Sequence, residues 1–233
     1  MLGSCDTPTN VTVMERATLG RMQNPIRGFL HGGAAIATLG GLVFMLARAW
    51  GSAPAITGAM VFGVALLIMY TTSSLYHSVP WSRAWKSRLQ RIDHSMIYLV
   101  VAGTFTPIAI AALDGVVLAL GLGLLWTIAL VGILLKALLP GLKTGLSVTL
   151  QMVMGWLAIV FMPAIHAAMG WGAIVLIALG GLSYTAGTVI FTTKRPRLWV
   201  RTFSYHELFH VLVIAGSVFH FIAVAAYAIP ATV

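Results

Sequence analysis

Cysteine is almost absent from this sequence. Cys5 stands alone among 233 residues, so no intrachain disulfide can form and no cluster of thiolates can hold a metal. Charge is scarce as well: Asp, Glu, Lys and Arg together make up 8% of the chain, where soluble domains carry about a quarter. Acids are the scarcest, five against fourteen Lys and Arg, for a net charge of +9. That excess does not point to nucleic acid, because the basic residues sit in short segments between apolar runs and form no broad solvated patch. The stretch up to Gln23 has neither a basic n-region nor an apolar h-region. No cleaved signal peptide is expected, and the first apolar run would direct insertion.

What is abundant is apolar. Hydrophobic residues reach 59% and the mean hydropathy is +0.96, which places the chain in a bilayer. A helix needs about 20 mostly apolar residues to cross, and seven such runs are expected, near 27–49, 54–77, 92–113, 115–136, 145–168, 171–192 and 205–229. Gly51–Pro54, Pro80, Asp114–Gly115, Pro140–Gly141, Gly170 and Pro196 separate them by geometry or by a missing backbone donor. The fold class is therefore an all-α seven-helix membrane bundle. It reads as residues 1–26, a cytoplasmic segment, followed by one transmembrane domain over 27–230. Gly32–Gly33, Gly40–Gly41 and Gly180–Gly181 would let helices approach closely.

Direction follows from the basic residues, which cytoplasmic loops retain. Arg16, Arg21 and Arg27 precede the first run; Arg83, Lys86, Arg88 and Arg91 lie between the second and third. Lys136 and Lys143 flank the fourth–fifth connection, and Lys194, Arg195, Arg197 and Arg201 the sixth–seventh. With seven spans all of these fall on one side and only Arg48 on the other. The N-terminus is then cytoplasmic, the C-terminus outside, and the basic face lies against anionic lipid headgroups.

Ionisable residues inside spans are costly to bury and point to function. The second run ends in Ser73-Ser74-Leu75-Tyr76-His77, the third opens on Arg91-Ile92-Asp93-His94, and the seventh opens on Ser204-Tyr205-His206-Glu207-Leu208-Phe209-His210. All three ends share one depth. His206 and His210, four apart, stack on one helix face, and His77 supplies a third imidazole. Three histidines with a fourth position left to water are the open arrangement of a catalytic zinc ion. Ser73 lies one turn deeper than His77 on the same face.

The other histidines are weaker candidates. His220 lies about 15 Å deeper than His210, His31 has the right depth but no partner on its face, His94 is rotated about 100° from Asp93, and His166 falls near the outer surface. His206 to His210 is also a literal H-E-x-x-H, the zinc motif of metalloproteases with Glu207 as general base. That scheme requires a third ligand downstream, where only His220 is available.

These residues resemble a known family, the progestin and adiponectin receptor superfamily, and within it the bacterial hemolysin III branch. The likeness rests on Ser73 to His77, on Asp93-His94 followed by Ala102-Gly103-Thr104-Phe105-Thr106-Pro107, on His206 to His210 running on to Gly216 and His220, and on the opening Asn24 to His31. It implies seven helices with the N-terminus inside, zinc held by His77, His206 and His210 near the cytoplasmic face, and Ser73 and Asp93 beside the open coordination position. It further implies a bacterial inner-membrane location, kinship with alkaline ceramidases and hydrolysis of a lipid amide. Glu207 is outside the shared zinc pattern.

The expected function is therefore hydrolysis of lipid amides or esters, with Asp93 orienting and deprotonating water and Ser73 hydrogen-bonding the reacting oxygen. Membrane lipids are the expected partners, with a lipid amide or fatty acid as ligand in the bundle. Three alternatives stand beside this: a non-catalytic, zinc-pinned sensor or receptor in membrane-lipid homeostasis, a membrane-damaging haemolysin, and an intramembrane metalloprotease. For Asp93 the competing role is an ion pair with Arg91 or Arg88; for Ser73 it is a bond to its own helix.

Overall fold

The computed structural model of the chain describes residues 24–139, 144–199 and 202–233. Residues 1–23, with Cys5, Arg16 and Arg21, lie outside the described residues, as do the Pro140–Gly141 breaker, Lys143 and Arg201. The helices are α1 (Pro25–Arg48), α2 (Ala53–Ser78), α3 (Arg83–Ala112), α4 (Gly115–Leu138), α5 (Thr144–Trp156), α6 (Met162–Thr193) and α7 (Tyr205–Ala223). A 3-10 segment, Leu157–Phe161, joins α5 to α6, and a π-helical turn, Val224–Ala228, extends α7. Among the described residues there is no strand, only a single bridge between Trp199 and Phe203.

Among the described residues, six helical stretches are long and apolar enough to cross a membrane, and the chain is a multi-pass membrane protein. One of the six, Gly145–Thr193, runs for 49 residues and is interrupted at Gly170 with φ 74° and ψ −178°. That backbone region is open essentially to glycine alone, so the breaker read from the sequence coincides with a real break in the helix. The main departure from the expected limits is at α3, which starts at Arg83 instead of residue 92. Arg83, Lys86, Arg88 and Arg91 therefore sit on helix turns and not in a loop. Lys, Arg, Leu and Gln all favour helix, and Arg88 stacks over Trp85 at 5.3 Å.

Large apolar side chains face outward, as a bilayer solvent requires. On α4, Val116, Leu120, Leu124, Leu130, Leu134 and Leu138 are all exposed. Small residues face inward, where helices meet without a hydrophobic drive between them. A side chain at Gly58 would meet Pro107 at 2.9 Å, and one at Gly103 would press on Ala65, so the Ala102–Pro107 stretch is the seam between α2 and α3. Thr106 in that stretch accepts from Trp126 Nε1 of α4 at 3.1 Å. Of the glycine pairs, one member each packs, Gly32 near Ser74, Gly41 near Phe221 and Gly180 against the His220 ring, while Gly33, Gly40 and Gly181 have open space. One buried cluster centres on Phe62, Tyr70, Met45 and Ile165, a second on Tyr98, Phe105, Leu125 and Met154. Residues of both line a shared cavity.

Candidate metal centre

The last turn of α2 and the first turns of α7 bring three imidazoles together. His77, His206 and His210 each offer a ligand atom, and these atoms lie within 4.8 Å of one another. Ring centroids are 5.3 Å apart for His77 and His206, 4.9 Å for His77 and His210, and 5.1 Å for His206 and His210. His77 and His210 are buried and His206 is partly so. Nε2 of His77 and Nδ1 of His210 are buried with no hydrogen-bond partner, and buried polar atoms are seldom left so. A metal ion at this point would satisfy both. Tetrahedral ligand nitrogens at 2.0–2.1 Å from an ion sit roughly 3.4 Å apart, a contraction that small imidazole rotations supply. The donor set therefore fits a metal ion.

Ser73 and Asp93 meet beside this triad. The Ser73 hydroxyl donates to the Asp93 carboxylate, joining the end of α2 to the start of α3. Arg91, the alternative partner of Asp93, instead donates from Nε to the Ala137 carbonyl at 3.2 Å and from Nη1 to Ser87 at 3.5 Å. Both Ser73 and Asp93 line a cavity of about 210 Å³, together with His31, His94, His206 and His210. The cavity wall follows α3 from Asp93 to Ile108, fifteen residues or about 22 Å of helix. Away from the histidines its lining turns apolar, through Val101, Phe105, Ile159 and Ile177. His77 is not part of that wall and backs the triad from the α2 side.

Among the remaining histidines, His31 departs from the sequence reading. His31 does have partners on its face: it is buried, 4.0 Å ring to ring from His210 and edge-on to Tyr70 at 5.0 Å. Its signal was the spacing Arg27–His31, a buried stripe at the start of α1. His94 lines the cavity but packs its ring on Phe191 at 5.9 Å. His220 also lines the cavity, bonded through Nδ1 to the Gly216 carbonyl at 2.8 Å and stacked on Tyr184. His166 is half-buried and sits against Trp171.

Glu207 has a different task from the one the H-E-x-x-H pattern suggests. Its Oε1 accepts from Arg27 Nε at 2.6 Å and its Oε2 accepts from the Ser204 backbone N–H at 2.9 Å. The second bond is half of a capping box, and Ser204-x-x-Glu207 before an apolar run was its readable signal. With one oxygen on Arg27 and the other on the Ser204 backbone, Glu207 anchors the start of α7 to α1.

Comparison with known proteins places the chain in a family. A family model described as haemolysin-III related matches residues 20–221, which includes every residue of the centre. The Hemolysin-3 homolog of Bacillus subtilis (strain 168) is 33% identical over 201 residues, spanning 85% of this chain and 91% of that protein. Hemolysin-3 of Bacillus cereus is 30% identical over 219 residues, spanning 93% and 97%. Matched by the family model along most of its length, and with relatives at 30% and 33% identity, this chain belongs to the haemolysin-III related family.

Proposed function

We propose that the chain is a seven-span zinc hydrolase of the bacterial inner membrane that cleaves lipid amides or esters. The observation that carries this reading is the conjunction at one end of a long apolar cavity: three imidazoles, and beside them a carboxylate held by a serine. Seven spans are supported by length. A single crossing of 49 residues would extend about 73 Å, more than twice the hydrocarbon core, and the break at Gly170 divides it into two pieces of crossing length. With seven, the basic residues collect on the side of the N-terminus, which is then cytoplasmic.

When bound, zinc lowers the pKa of a coordinated water toward roughly 7 and polarises the substrate carbonyl. The chain's own residues do the rest. Asp93 takes a proton from the attacking water and passes it to the leaving nitrogen or oxygen, so the acyl–heteroatom bond breaks to an acid and an amine or alcohol. The Ser73 hydroxyl, bonded to that carboxylate, sharpens its direction. The apolar cavity wall takes the acyl chain and keeps bulk water from the reacting carbonyl.

The second reading, a metal that pins α2 to α7 in a sensor without turnover, draws on the fact that the ligands come from just those two helices. The protease reading loses ground because Glu207 is committed to Arg27 and Ser204. Purified, zinc-loaded protein assayed against a panel of N-acyl and O-acyl lipids, beside Asp93→Ala, separates these. Hydrolysis of at least one class by wild type alone supports the hydrolase. Zinc retained with no turnover across the panel favours the sensor.

A further inference from the structure

We infer that the first two turns of α1 are a strap that sets the metal site, with Arg27 and Glu207 as its positioning pair. The inference rests on the reading of His77, His206 and His210 as metal ligands. Two of those ligands lie on α7 and one on α2, and the two helices make no extended contact with each other. Apart from the imidazoles, a hydrogen bond from Tyr70 to Ser217 links them. Helix α1 packs along α2 and touches α7, and its opening residues divide between the two.

One face of α1 grips α2. The Asn24 backbone N–H donates to the carbonyl of His77 itself at 3.1 Å, and Ser74 Oγ donates to the Gly28 carbonyl at 2.9 Å. A side chain at Gly28 would collide with Ser78, and one at Gly32 would meet Ser74 at 3.1 Å. Gly28-x-x-x-Gly32 against Ser74-x-x-x-Ser78 is a small-residue seam that lets the two backbones touch. The other face grips α7. Arg27 and His31, four apart, share that face: Arg27 binds Glu207, and the His31 ring lies 4.0 Å from that of His210.

Position decides what this does. Glu207 is flanked by His206 and lies one turn from His210, and its second oxygen caps the helix that carries both. A guanidinium fixed to that carboxylate, both side chains buried, holds the start of α7 at a set distance from α2. Orientation of the ligands before the ion arrives is what gives a site its affinity and geometry.

The test uses the full chain, stripped of metal. Zinc affinity is measured by competition with a chromophoric chelator, and coordination geometry by the visible absorption of the cobalt-loaded form. Arg27→Ala and Glu207→Gln should each weaken zinc binding tenfold or more and alter the cobalt band. Arg27→Lys should recover part of the loss, and the double variant should bind no worse than the weaker single one. Helix content of the metal-free variants should match wild type, which separates lost positioning from lost fold. Should Arg27→Ala fail to fold, Glu207→Gln gives the reading alone, since its amide oxygen can still cap Ser204. Wild-type affinity and cobalt spectrum in the folded single variants overturn the strap and leave the metal site standing. A wild-type chain that binds no zinc overturns the metal reading and the strap with it.

Discussion

The hydroxyl of Ser73 and the carboxylate of Asp93 are hydrogen-bonded across the α2–α3 seam, one helical turn from His77. A carboxylate held this way beside three imidazoles is oriented before substrate arrives. In a hydrolase, Asp93→Asn should lower turnover by roughly 10²–10⁴-fold with zinc content unchanged. Ser73→Ala should cost less, and the double variant should be no slower than Asp93→Asn, because the two act as a unit. Steady-state rates and zinc content on the same preparations check this. Additive losses would separate the two roles.

His31 tests the number of ligands. Its ring touches that of His210, yet the group close enough to share an ion is His77, His206 and His210. His31→Ala should therefore leave one zinc per chain, bound more weakly. Complete loss of zinc would make His31 a fourth ligand.

The count of spans can be read by chemical labelling. With Cys5 replaced by Ala, a cysteine at Trp171 or at Trp199, both 70% exposed, should react with an impermeant thiol reagent from opposite sides. Trp171→Cys should label in intact cells and Trp199→Cys only after the membrane is opened. Labelling of both from one side would mean that Gly145–Thr193 crosses once or lies partly along the interface.

Two glycines of α4 offer a paired stability test. At Gly132 a side chain would meet the Tyr98 ring at 2.6 Å, whereas at Gly123 nothing lies within 4 Å. Gly132→Ala should destabilise by about 1–3 kcal/mol through overpacking, and Gly123→Ala should be neutral or stabilise by up to about 1 kcal/mol through helix propensity. Thermal midpoints in one detergent compare them directly.

Much of this arrangement was legible in the sequence because the bilayer makes polarity informative. Ser73, His77, Asp93, His206 and His210 stood out as ionisable or polar groups at the ends of apolar runs, and helix periodicity fixed which of them share a face. What periodicity cannot give is which helix lies next to which. Arg27 read only as a cytoplasmic charge and Glu207 as an unassigned part of H-E-x-x-H, yet they are partners 180 residues apart. His31 shows no partner on its own helix, because its partner, His210, stands on α7. The start of α3 is hidden in the sequence because basic residues suit a cytoplasmic loop and a helix turn equally.

Catalysis, sensing and the strap alike require the three imidazoles to hold one ion. Zinc content of purified protein, measured by elemental analysis after exhaustive dialysis against a weak chelator, tests that most directly. About one zinc per chain in wild type, and loss of it in His77→Ala, His206→Ala and His210→Ala alike, is the predicted result. Full zinc content in His210→Ala would contradict it.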